Sequence, residues 1–357
     1  MELPLRFMGS AREYFRIWIV NLCLTLLSLG VFSAWAKVRK KRYFYSHTTL
    51  DGTPFQYLAE PLPILKGRII AAALFGVYYA SSHLFTPLLP YVLVVAVALA
   101  PWVVIRSAAF NARYSAFRNM TFRFDGTYKG VLRDVYLWGL VPLLLGGSAL
   151  ASVHENLYVA IGASSILGLI FPLWYRRMKR FLVRGTAFGG EHGDMTAGDG
   201  EFYKIYFLGG LLVGVTGILS GALVAVLVAA KGPGVMVGQG VLVFMLPVYA
   251  GYVLAYAYVQ ARTLNLVWGK TTLGPLRFRS TLRARSLAGL YLTNALAIIA
   301  SLGLLTPWAV IRTLKYRADN MRVQLDGFLS TLRGSEHSAV QATGAELSEF
   351  FDMDLSL

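Results

Sequence analysis

The sequence has little cysteine and little charge. Cys23 is the only cysteine among the 357 residues, and it lies inside an apolar run. This excludes a disulfide framework or a thiolate metal centre within one chain. Only 15% of the residues are charged and 56% are hydrophobic, whereas a soluble domain carries about 25% charged residues. The shortage of charge therefore indicates a chain whose surroundings are mostly hydrocarbon.

Acidic residues are scarcer than basic ones. The 18 Asp and Glu against 34 Lys and Arg give a net charge of +16, which indicates an anionic partner, either nucleic acid or lipid. The densest basic cluster directly follows an apolar run and contains Lys37, Arg39, Lys40, Lys41 and Arg42. Basic clusters at the edge of a membrane attract anionic lipid. We therefore expect membrane lipid, and no nucleic acid, as the partner of this cluster.

Ionisable residues are nearly absent from the apolar cores. His83 lies in one, towards its outer end, and is either a proton-sensing group or an interfacial histidine. A pump driven through a carboxylate at mid-membrane is therefore disfavoured. The five histidines are scattered and no nucleophile–base set is present. We expect no enzyme and no cofactor.

Metal-binding residue types gather in one glycine-rich loop, 189–200, and just after it. The group consists of Glu191, His192, Asp194, Asp199 and Glu201. These are suitable ligands for divalent metals, but they show no recognised ligand spacing. We therefore expect no metal site.

Long apolar stretches organise the chain. They cover residues 17–36, 69–89, 91–105, 135–151, 157–175, 205–230, 235–259 and 287–311. Each could cross about 30 Å of hydrocarbon as a helix, with some help from tilt or flanking residues. Lys and Arg crowd alternate loops, which places those loops in the cytoplasm. The pattern predicts an all-α polytopic membrane protein whose six middle stretches span the membrane as three hairpins.

The first and last stretches have basic residues on both flanks, which a single crossing cannot satisfy. One solution is that each bends at Ser-Leu-Gly and returns, because Gly30 and Gly303 tolerate the backbone angles of a turn. Asn21 and Asn294 could then satisfy some of the freed backbone groups. The other solution is that both stretches span the membrane and the termini lie outside. This would violate the rule that Lys and Arg concentrate on the cytoplasmic side.

An internal repeat links the two ends of the chain. Residues 17–52 are echoed at 290–327, with identical spacing through Asn21, Gly30, Trp35 and Arg39 and through Asn294, Gly303, Trp308 and Arg312. Asp-Gly pairs at 51–52, 125–126 and 326–327 predict small cytoplasmic β-hairpins that pair into a collar. We assign residues 1–334 to one integral membrane domain, and we expect the acidic tail 335–357 to be disordered.

A tyrosine stripe is the candidate lining of a polar cavity. Tyr249, Tyr252 and Tyr256 share one face of the seventh stretch, and their hydroxyls need partners in hydrocarbon. Together with Asn21 and Asn294 they could line a cavity between the hairpins. The alternative is that they hydrogen-bond to a neighbouring helix.

A glycine stripe is the candidate surface for helix packing. Gly210, Gly214, Gly217 and Gly221 fall on one face of the sixth stretch, and small residues at this spacing let two helices approach closely. The partner helix belongs either to the same chain or to a second copy in a homo-oligomer.

The first seventy residues resemble a known family. The run 14–18, Asn21, the run 28–39 and Pro61 with residues 64–68 are similar to the YjgN-like family of bacterial inner-membrane proteins. That family is grouped as a domain of unknown function. The resemblance implies a multi-pass protein of the inner membrane and brings no catalytic residues with it.

Two functional hypotheses follow. The first is a passive transporter or lipid- or solute-handling protein that uses a cavity between the hairpins. The alternative is a non-enzymatic membrane scaffold or regulatory protein whose basic cytoplasmic loops recruit partners. The sequence does not identify a soluble partner.

Overall fold

A computed structural model describes residues 2–139, 157–232, 234 and 239–326. The helices are α1 (Ala11–Leu27), α2 (Ser33–Ser46), α3 (Pro61–His83), α4 (Leu89–Arg113), α5 (Tyr128–Val131), α6 (Leu157–Gly185), α7 (Asp199–Lys231), α8 (Gln239–Gly269), α9 (Ala284–Ala300) and α10 (Thr306–Asp319). A 3₁₀ turn, Thr86–Leu88, joins α3 to α4, and a π-helical turn, Leu132–Tyr136, continues α5.

Within the described residues, eleven short strands form one antiparallel sheet. They are β1 (Glu2–Phe7), β2 (Thr48–Leu50), β3 (Thr53–Tyr57), β4 (Ser115–Phe117), β5 (Met120–Thr121), β6 (Arg123–Phe124), β7 (Thr186–Phe188), β8 (Glu191–Met195), β9 (Thr271–Leu273), β10 (Leu276–Ser280) and β11 (Met321–Leu325). Their order is β5-β4-β3-β2-β1-β11-β10-β9-β8-β7-β6. The two end strands, β5 and β6, are separated along the chain only by Phe122, so the sheet returns to its beginning as a barrel.

The prediction of an all-α membrane protein with small β-hairpins is therefore confirmed only in part, because most of the described chain is helical but the short strands form one large sheet. One of the three predicted hairpins exists, at Asp51-Gly52, and short strands pair into a collar, as expected, but the collar is a continuous barrel. Its strands are at most six residues long and are scattered over the whole chain. No single segment is long enough to show the alternation of apolar and polar residues that identifies a strand.

The chain repeats one structural unit five times, each unit being a helix pair followed by strands of the barrel. The pairs are α1–α2 with β2–β3, α3–α4 with β4–β5, α5–α6 with β7–β8, α7–α8 with β9–β10, and α9–α10 with β11. The fifth unit takes its second strand from the other end of the chain, because β1 pairs with β11 and places Glu2 opposite Gln324. Residue 2 and residue 325 therefore lie in the same barrel.

Tight turns connect the strands within the units. Asp51 and Gly52 have φ of +51° and +75°, the left-handed conformation that two-residue hairpin turns require, which confirms the hairpin predicted there. The hairpin predicted at Asp125 is wrong. The turn of that unit lies at Arg118 and Asn119, with φ of +51° and +61°.

Asp125 instead leads from the barrel into α5. Its N–H donates to the carbonyl oxygen of Gly185, at 2.7 Å. Asp326 directly follows β11. The partners of β11 are β10 and β1, which both precede β11 in the chain, so β11 is not the first strand of a hairpin that turns at Asp326. Gly327 lies outside the described residues.

A ring of apolar side chains fills the hairpin end of the barrel. Each of the first four units contributes the last residue of its first strand, and the fifth unit contributes the third residue of β11. These residues are Leu50, Phe117, Phe188, Leu273 and Val323, and all are buried. Burying one such side chain contributes about 1.5 to 3 kcal/mol. The ring therefore both stabilises the barrel and closes this end of it.

Four helices in the described part of the chain are long and apolar enough to cross a membrane: α3, α4, α7 and α8. Only 11% to 22% of their most apolar windows is buried inside the molecule, so apolar side chains cover their outer surfaces. Six spans are not confirmed. Much of the predicted span 135–151 lies outside the described residues, as does the tail 335–357. The predicted span 157–175 falls within α6, a helix of 29 residues.

The first and last apolar stretches are each broken, as the returning alternative predicted. α1 ends at Leu27 and α2 begins at Ser33, whereas α9 ends at Ala300 and α10 begins at Thr306. Gly30 and Gly303 have φ of +92° and +91°, a backbone conformation that glycine adopts without a steric cost. Both helix pairs thus return to the barrel from which they start.

The backbone groups freed by the break are satisfied within the turn. The Oγ of Ser28 accepts from the N–H of Phe32 at 2.8 Å, and the Oγ of Ser301 accepts from that of Leu305 at 2.9 Å. Asn21 and Asn294 were expected to satisfy groups at this break. That expectation is wrong, because the side chains at the turn do so and the two asparagines bond elsewhere.

Candidate functional site at the mouth of the barrel

A cavity of about 440 Å³ lies where the helices enter the barrel. The second helix of every unit contributes to its wall, through Phe44, Ala112, Leu182, Trp268 and Leu314. The barrel contributes Leu5, Phe55 and Phe278 from its second strands, and Phe122 from the link between β5 and β6. The cavity, which we call the mouth cavity, is therefore shared by all five units.

A ring of small polar residues surrounds the mouth cavity. The first strand residues of four units are Thr48, Ser115, Thr186 and Thr271, and each donates its hydroxyl to the carbonyl oxygen four residues earlier, at 2.6 to 2.9 Å. The fifth unit has Met321 at this place. These bonds extend the preceding helix directly into the strand.

Two further polar side chains of the mouth cavity, Tyr45 and Asn111, also have hydrogen-bond partners. The hydroxyls of Tyr45 and Ser115 lie 2.9 Å apart, and the Oδ1 of Asn111 accepts from the Nζ of Lys41 at 3.2 Å. No charged residue or histidine is among the lining residues described. Most of the wall is aromatic and aliphatic, which suits an apolar or amphipathic ligand.

Five arginines occupy equivalent places in the second helices, each at the same spacing before the strand. They are Arg39, Arg106, Arg177, Arg262 and Arg312. Four stack on an aromatic ring, namely Trp102, Trp138, Tyr258 and Trp308, with distances to the ring centre between 4.1 and 5.8 Å. In the sequence a tryptophan lies three or four residues before four of these arginines, whereas Arg262 has Tyr258 four residues before it.

The two repeated asparagines connect the helices of their own units. The Oδ1 of Asn294 accepts from the Nη1 of Arg312 at 3.2 Å, and its Nδ2 donates to the carbonyl oxygen of Ala309 at 3.2 Å. Asn21 makes the same pair of contacts with Arg39 and Ala36, at 3.3 and 3.4 Å. Neither is among the residues lining the mouth cavity.

Part of the basic cluster after α1 forms hydrogen bonds within the molecule. Arg39 bonds to Asn21, Lys41 to Asn111, and the Nη2 of Arg42 to the carbonyl oxygen of Ala59 at 2.9 Å. Lys37 also has an intramolecular interaction, whereas Lys40 is exposed. Contact between this cluster and anionic lipid stays a prediction.

The tyrosine stripe faces away from the mouth cavity. Tyr249, Tyr252 and Tyr256 are 67%, 62% and 52% exposed on the surface of α8. The hydroxyl of Tyr256 accepts from the Nε2 of Gln260 at 3.2 Å, and its ring lies 5.6 Å from that of Tyr291. That hydrogen bond lies within α8, so the lining of a cavity and hydrogen bonding to a neighbouring helix both stay predictions.

The glycine stripe faces open space. A Cβ added at Gly210, Gly214, Gly217 or Gly221 would meet no other atom within 4 Å. The close approach of α7 to α8 instead uses Gly209 against Val259 and Gly251 against Thr216. Packing of the stripe against a second copy stays a prediction.

Three acidic residues around the loop 189–200 form ion pairs or hydrogen bonds within the described part of the chain. Arg184 Nε lies 2.8 Å from Asp194 Oδ1, and this hydrogen bond lowers the pKa of Asp194. Asp199 pairs with Arg176, and Glu201 accepts from the N–H of Gly198 at 2.8 Å. In the described part of the chain no three metal-binding side chains gather.

Two other residues singled out from the sequence also have ordinary surroundings. The ring of His192 lies near Asp125, with Nε2 and Oδ2 3.1 Å apart. His83 is exposed at the end of α3, with its ring 4.6 Å from that of Tyr79.

The barrel and the long apolar helices that lead away from it define a polytopic membrane protein. The chain matches the family "Bacterial protein of unknown function (DUF898)" over residues 2–350 and belongs to that family. It is 24% identical to the inner membrane protein YjgN of Salmonella typhimurium over 354 residues, covering 90% of this chain and 88% of that protein.

YjgN proteins of Escherichia coli are similar over a shorter part. The protein of strain O157:H7 is 26% identical and that of strain K12 is 25% identical, each over 203 residues, or about half of both chains. No solved structure matches the chain. The resemblance noted from the sequence is confirmed, and the protein is a multi-pass protein of the bacterial inner membrane.

Proposed function

We propose that this protein is a passive lipid- or solute-handling protein that binds an apolar or amphipathic molecule in the mouth cavity. The observation that carries the proposal is that all five units contribute to one cavity of about 440 Å³. Ligand sites commonly measure about 300 to 1,000 Å³ and have mostly apolar walls with a few polar groups.

The closed end of the barrel supports exchange with the membrane rather than with the cytoplasm. The apolar ring of Leu50, Phe117, Phe188, Leu273 and Val323 fills the hairpin end. A ligand would therefore enter from the side of the helices, whose outer surfaces are apolar. The uncharged lining supports passive handling, because a proton-coupled mechanism needs an ionisable group beside the ligand.

A cavity-filling variant tests this proposal. We expect Ala112→Phe to place a ring in the mouth cavity and to reduce the amount of copurifying ligand about tenfold, since overlap of that size costs more than 1 kcal/mol. The matched control is Ala72→Phe, which adds the same ring on the exposed surface of α3. Native mass spectrometry of the purified protein measures the retained ligand.

Two outcomes are informative. Loss of ligand in Ala112→Phe, with retention in Ala72→Phe, supports the mouth cavity as the binding site. Equal retention in both variants contradicts it. Thermal unfolding of both variants separates loss of the ligand from loss of the fold.

A second candidate is a scaffold that recruits an acidic partner. Arg279 and Arg322 are exposed and lie directly opposite each other on β10 and β11, and like charges so placed are destabilising. An acidic partner would offset that cost. The Ala112→Phe variant discriminates between the candidates, because it leaves this surface unchanged and so should leave recruitment unchanged.

A further inference from the structure

A basic pocket lies at the start of α9, away from the mouth cavity. Its lining consists of Arg262, Leu282, Arg283, Ala284, Arg285 and Ser286. Three of these six residues are arginines and none is acidic. All three arginine residues are exposed, and such a concentration of positive charge at one place attracts anions.

The geometry of the pocket is fixed by one side chain of α8. The Nδ2 of Asn265 donates to the carbonyl oxygen of Leu282 and its Oδ1 accepts from the N–H of the same residue, both at 2.9 Å. Ser280 Oγ also donates to this Oδ1, at 2.7 Å. These bonds hold the segment before α9 against α8, beside Arg262.

The start of α1 in the first unit has a capping side chain, which the start of α9 in the last unit lacks. The N–H of Ser10 donates to the hydroxyl of Tyr43 at 2.9 Å, and the N–H of Arg283 donates likewise to Tyr316 at 3.1 Å, so Ser10 and Arg283 are structurally equivalent. Ser10 Oγ caps its helix by accepting from the N–H of Glu13, at 3.2 Å. Arg283 makes no such bond.

The first turn of α9 therefore presents N–H groups without a side-chain acceptor. Ser286 stands where the first unit has Glu13, so the last unit also lacks the carboxylate of that helix start. Arginine side chains line the same pocket. N–H groups at a helix start and guanidinium groups are both suited to phosphate oxygens.

We propose that this pocket binds a phosphate group. Arg262 is the counterpart of Arg312, which stacks on Trp308 at 5.1 Å, and tryptophans concentrate at the level of lipid headgroups. The phosphate of an anionic lipid lies at that depth, and basic pockets between helices on the cytoplasmic side bind such headgroups. A soluble phosphate carries the same chemistry.

The test converts the last unit into a copy of the first. The double variant Arg283→Ser with Ser286→Glu introduces the hydroxyl cap and the carboxylate of the first unit, so it preserves the start of the helix while removing the anion site. Arg279→Ala, which removes one exposed positive charge from the barrel, is the control. Both are reconstituted in nanodiscs of phosphatidylcholine containing phosphatidylglycerol, with and without inorganic phosphate.

Native mass spectrometry then counts the phosphatidylglycerol retained by each protein. We expect the double variant to lose the preference for phosphatidylglycerol by about tenfold or more, and the control to keep it. Displacement of the lipid by millimolar inorganic phosphate, or phosphate binding without lipid preference, assigns the pocket to the soluble anion. Equal retention of lipid and equal phosphate binding by wild type and double variant overturn the proposal.

Discussion

At the scale of single residues, the pairing of asparagine with arginine explains why the two ends of the sequence repeat. Asn294 is 6% exposed and Asn21 is 8% exposed, although each lies between apolar helices. A buried amide is costly unless its hydrogen bonds are made. In both units the second helix supplies these bonds. Arg39 and Arg312 donate to the two amides, and the carbonyl oxygens of Ala36 and Ala309 accept from them.

We expect Asn294→Ala to destabilise the protein more than Asn21→Ala. Asn294 makes hydrogen bonds of 3.1 to 3.2 Å to Ala309, Thr313 and Arg312, whereas the bonds of Asn21 measure 3.3 and 3.4 Å. Removing a bonded buried amide costs about 2 to 3 kcal/mol when partners are left unpaired, and about 1 kcal/mol for weaker contacts. Denaturant unfolding in detergent micelles measures both.

Thr293→Ala is a useful companion variant, because it removes another acceptor of Arg312 from an exposed position. Its cost should be smaller than that of Asn294→Ala. An Asn294→Ala protein as stable as the wild type would show that the amide does not hold α9 and α10 together.

The sequence marked these asparagines correctly but assigned them the wrong partners. The repeat established their spacing from Gly30 and Gly303 along the chain. It could not show that each side chain bonds across to the second helix rather than towards the turn. The same limit applies to Tyr249, Tyr252 and Tyr256, whose shared face was evident while its direction was not.

At the scale of elements, the five units show why only two of them were recognisable in sequence. The first and last have short helices and the same Ser-Leu-Gly turn, so their residues align without gaps. The second and fourth have helices of 23 to 33 residues, which changes the spacing between their landmarks. All five units share an arginine at a fixed separation before the start of a strand. This pattern is too short to be recognised in the sequence.

The turns of the first and last units place leucines in an unfavourable conformation on an open surface. Leu29 and Leu302 have φ of +51° and +50°, and both are 95% exposed. The left-handed conformation costs roughly 1 to 2 kcal/mol for a residue other than glycine. An exposed leucine at that cost makes physical sense where hydrocarbon surrounds it.

We expect the tips of these two helix pairs to lie within the hydrocarbon. Helices of 17 and 14 residues extend about 25 and 21 Å, less than the 30 Å or so of the hydrocarbon core. A spin label at Leu302→Cys, in a Cys23→Ser background, should be accessible to oxygen and shielded from a water-soluble nickel relaxant. Electron paramagnetic resonance in liposomes measures both accessibilities.

A label at Arg322→Cys, on the exposed surface of β11, provides the opposite reference. It should be accessible to the nickel reagent and less so to oxygen. If the label at position 302 behaved like the label at 322, the tip would lie in water and the last helix pair would not be embedded in the membrane.

At the scale of the whole molecule, the barrel brings together segments that lie far apart in the sequence. Five units meet in it, both described ends of the chain pair in it, and the mouth cavity lies above its filled end. The sequence predicted four of the apolar helices and one hairpin turn correctly, because each depends on neighbouring residues. The barrel depends on pairing between strands that lie up to 322 positions apart, which a local pattern does not reveal.

The closing contact of the barrel is the pair β1–β11, and a disulfide there tests the architecture. Glu2 and Gln324 are directly opposed, and their side chains bond at 3.1 Å; opposed residues of antiparallel strands have Cα atoms about 4.5 to 5.5 Å apart, within the range for a disulfide. In a Cys23→Ser background, Glu2→Cys with Gln324→Cys should crosslink on mild oxidation and migrate faster in non-reducing gels.

Glu2→Cys with Arg277→Cys is the matched control, because Arg277 lies one strand further round, opposite Gln324 on β10. Two strand spacings, about 9.5 Å, exceed the reach of a disulfide, so this pair should stay reduced. The crosslink closes nearly the whole chain into a loop and should stabilise the protein by roughly 3 to 5 kcal/mol. Crosslinking of both pairs alike, or of neither, would mean that the two ends of the chain do not meet in one barrel, and the shared cavity at its mouth would lose its structural basis.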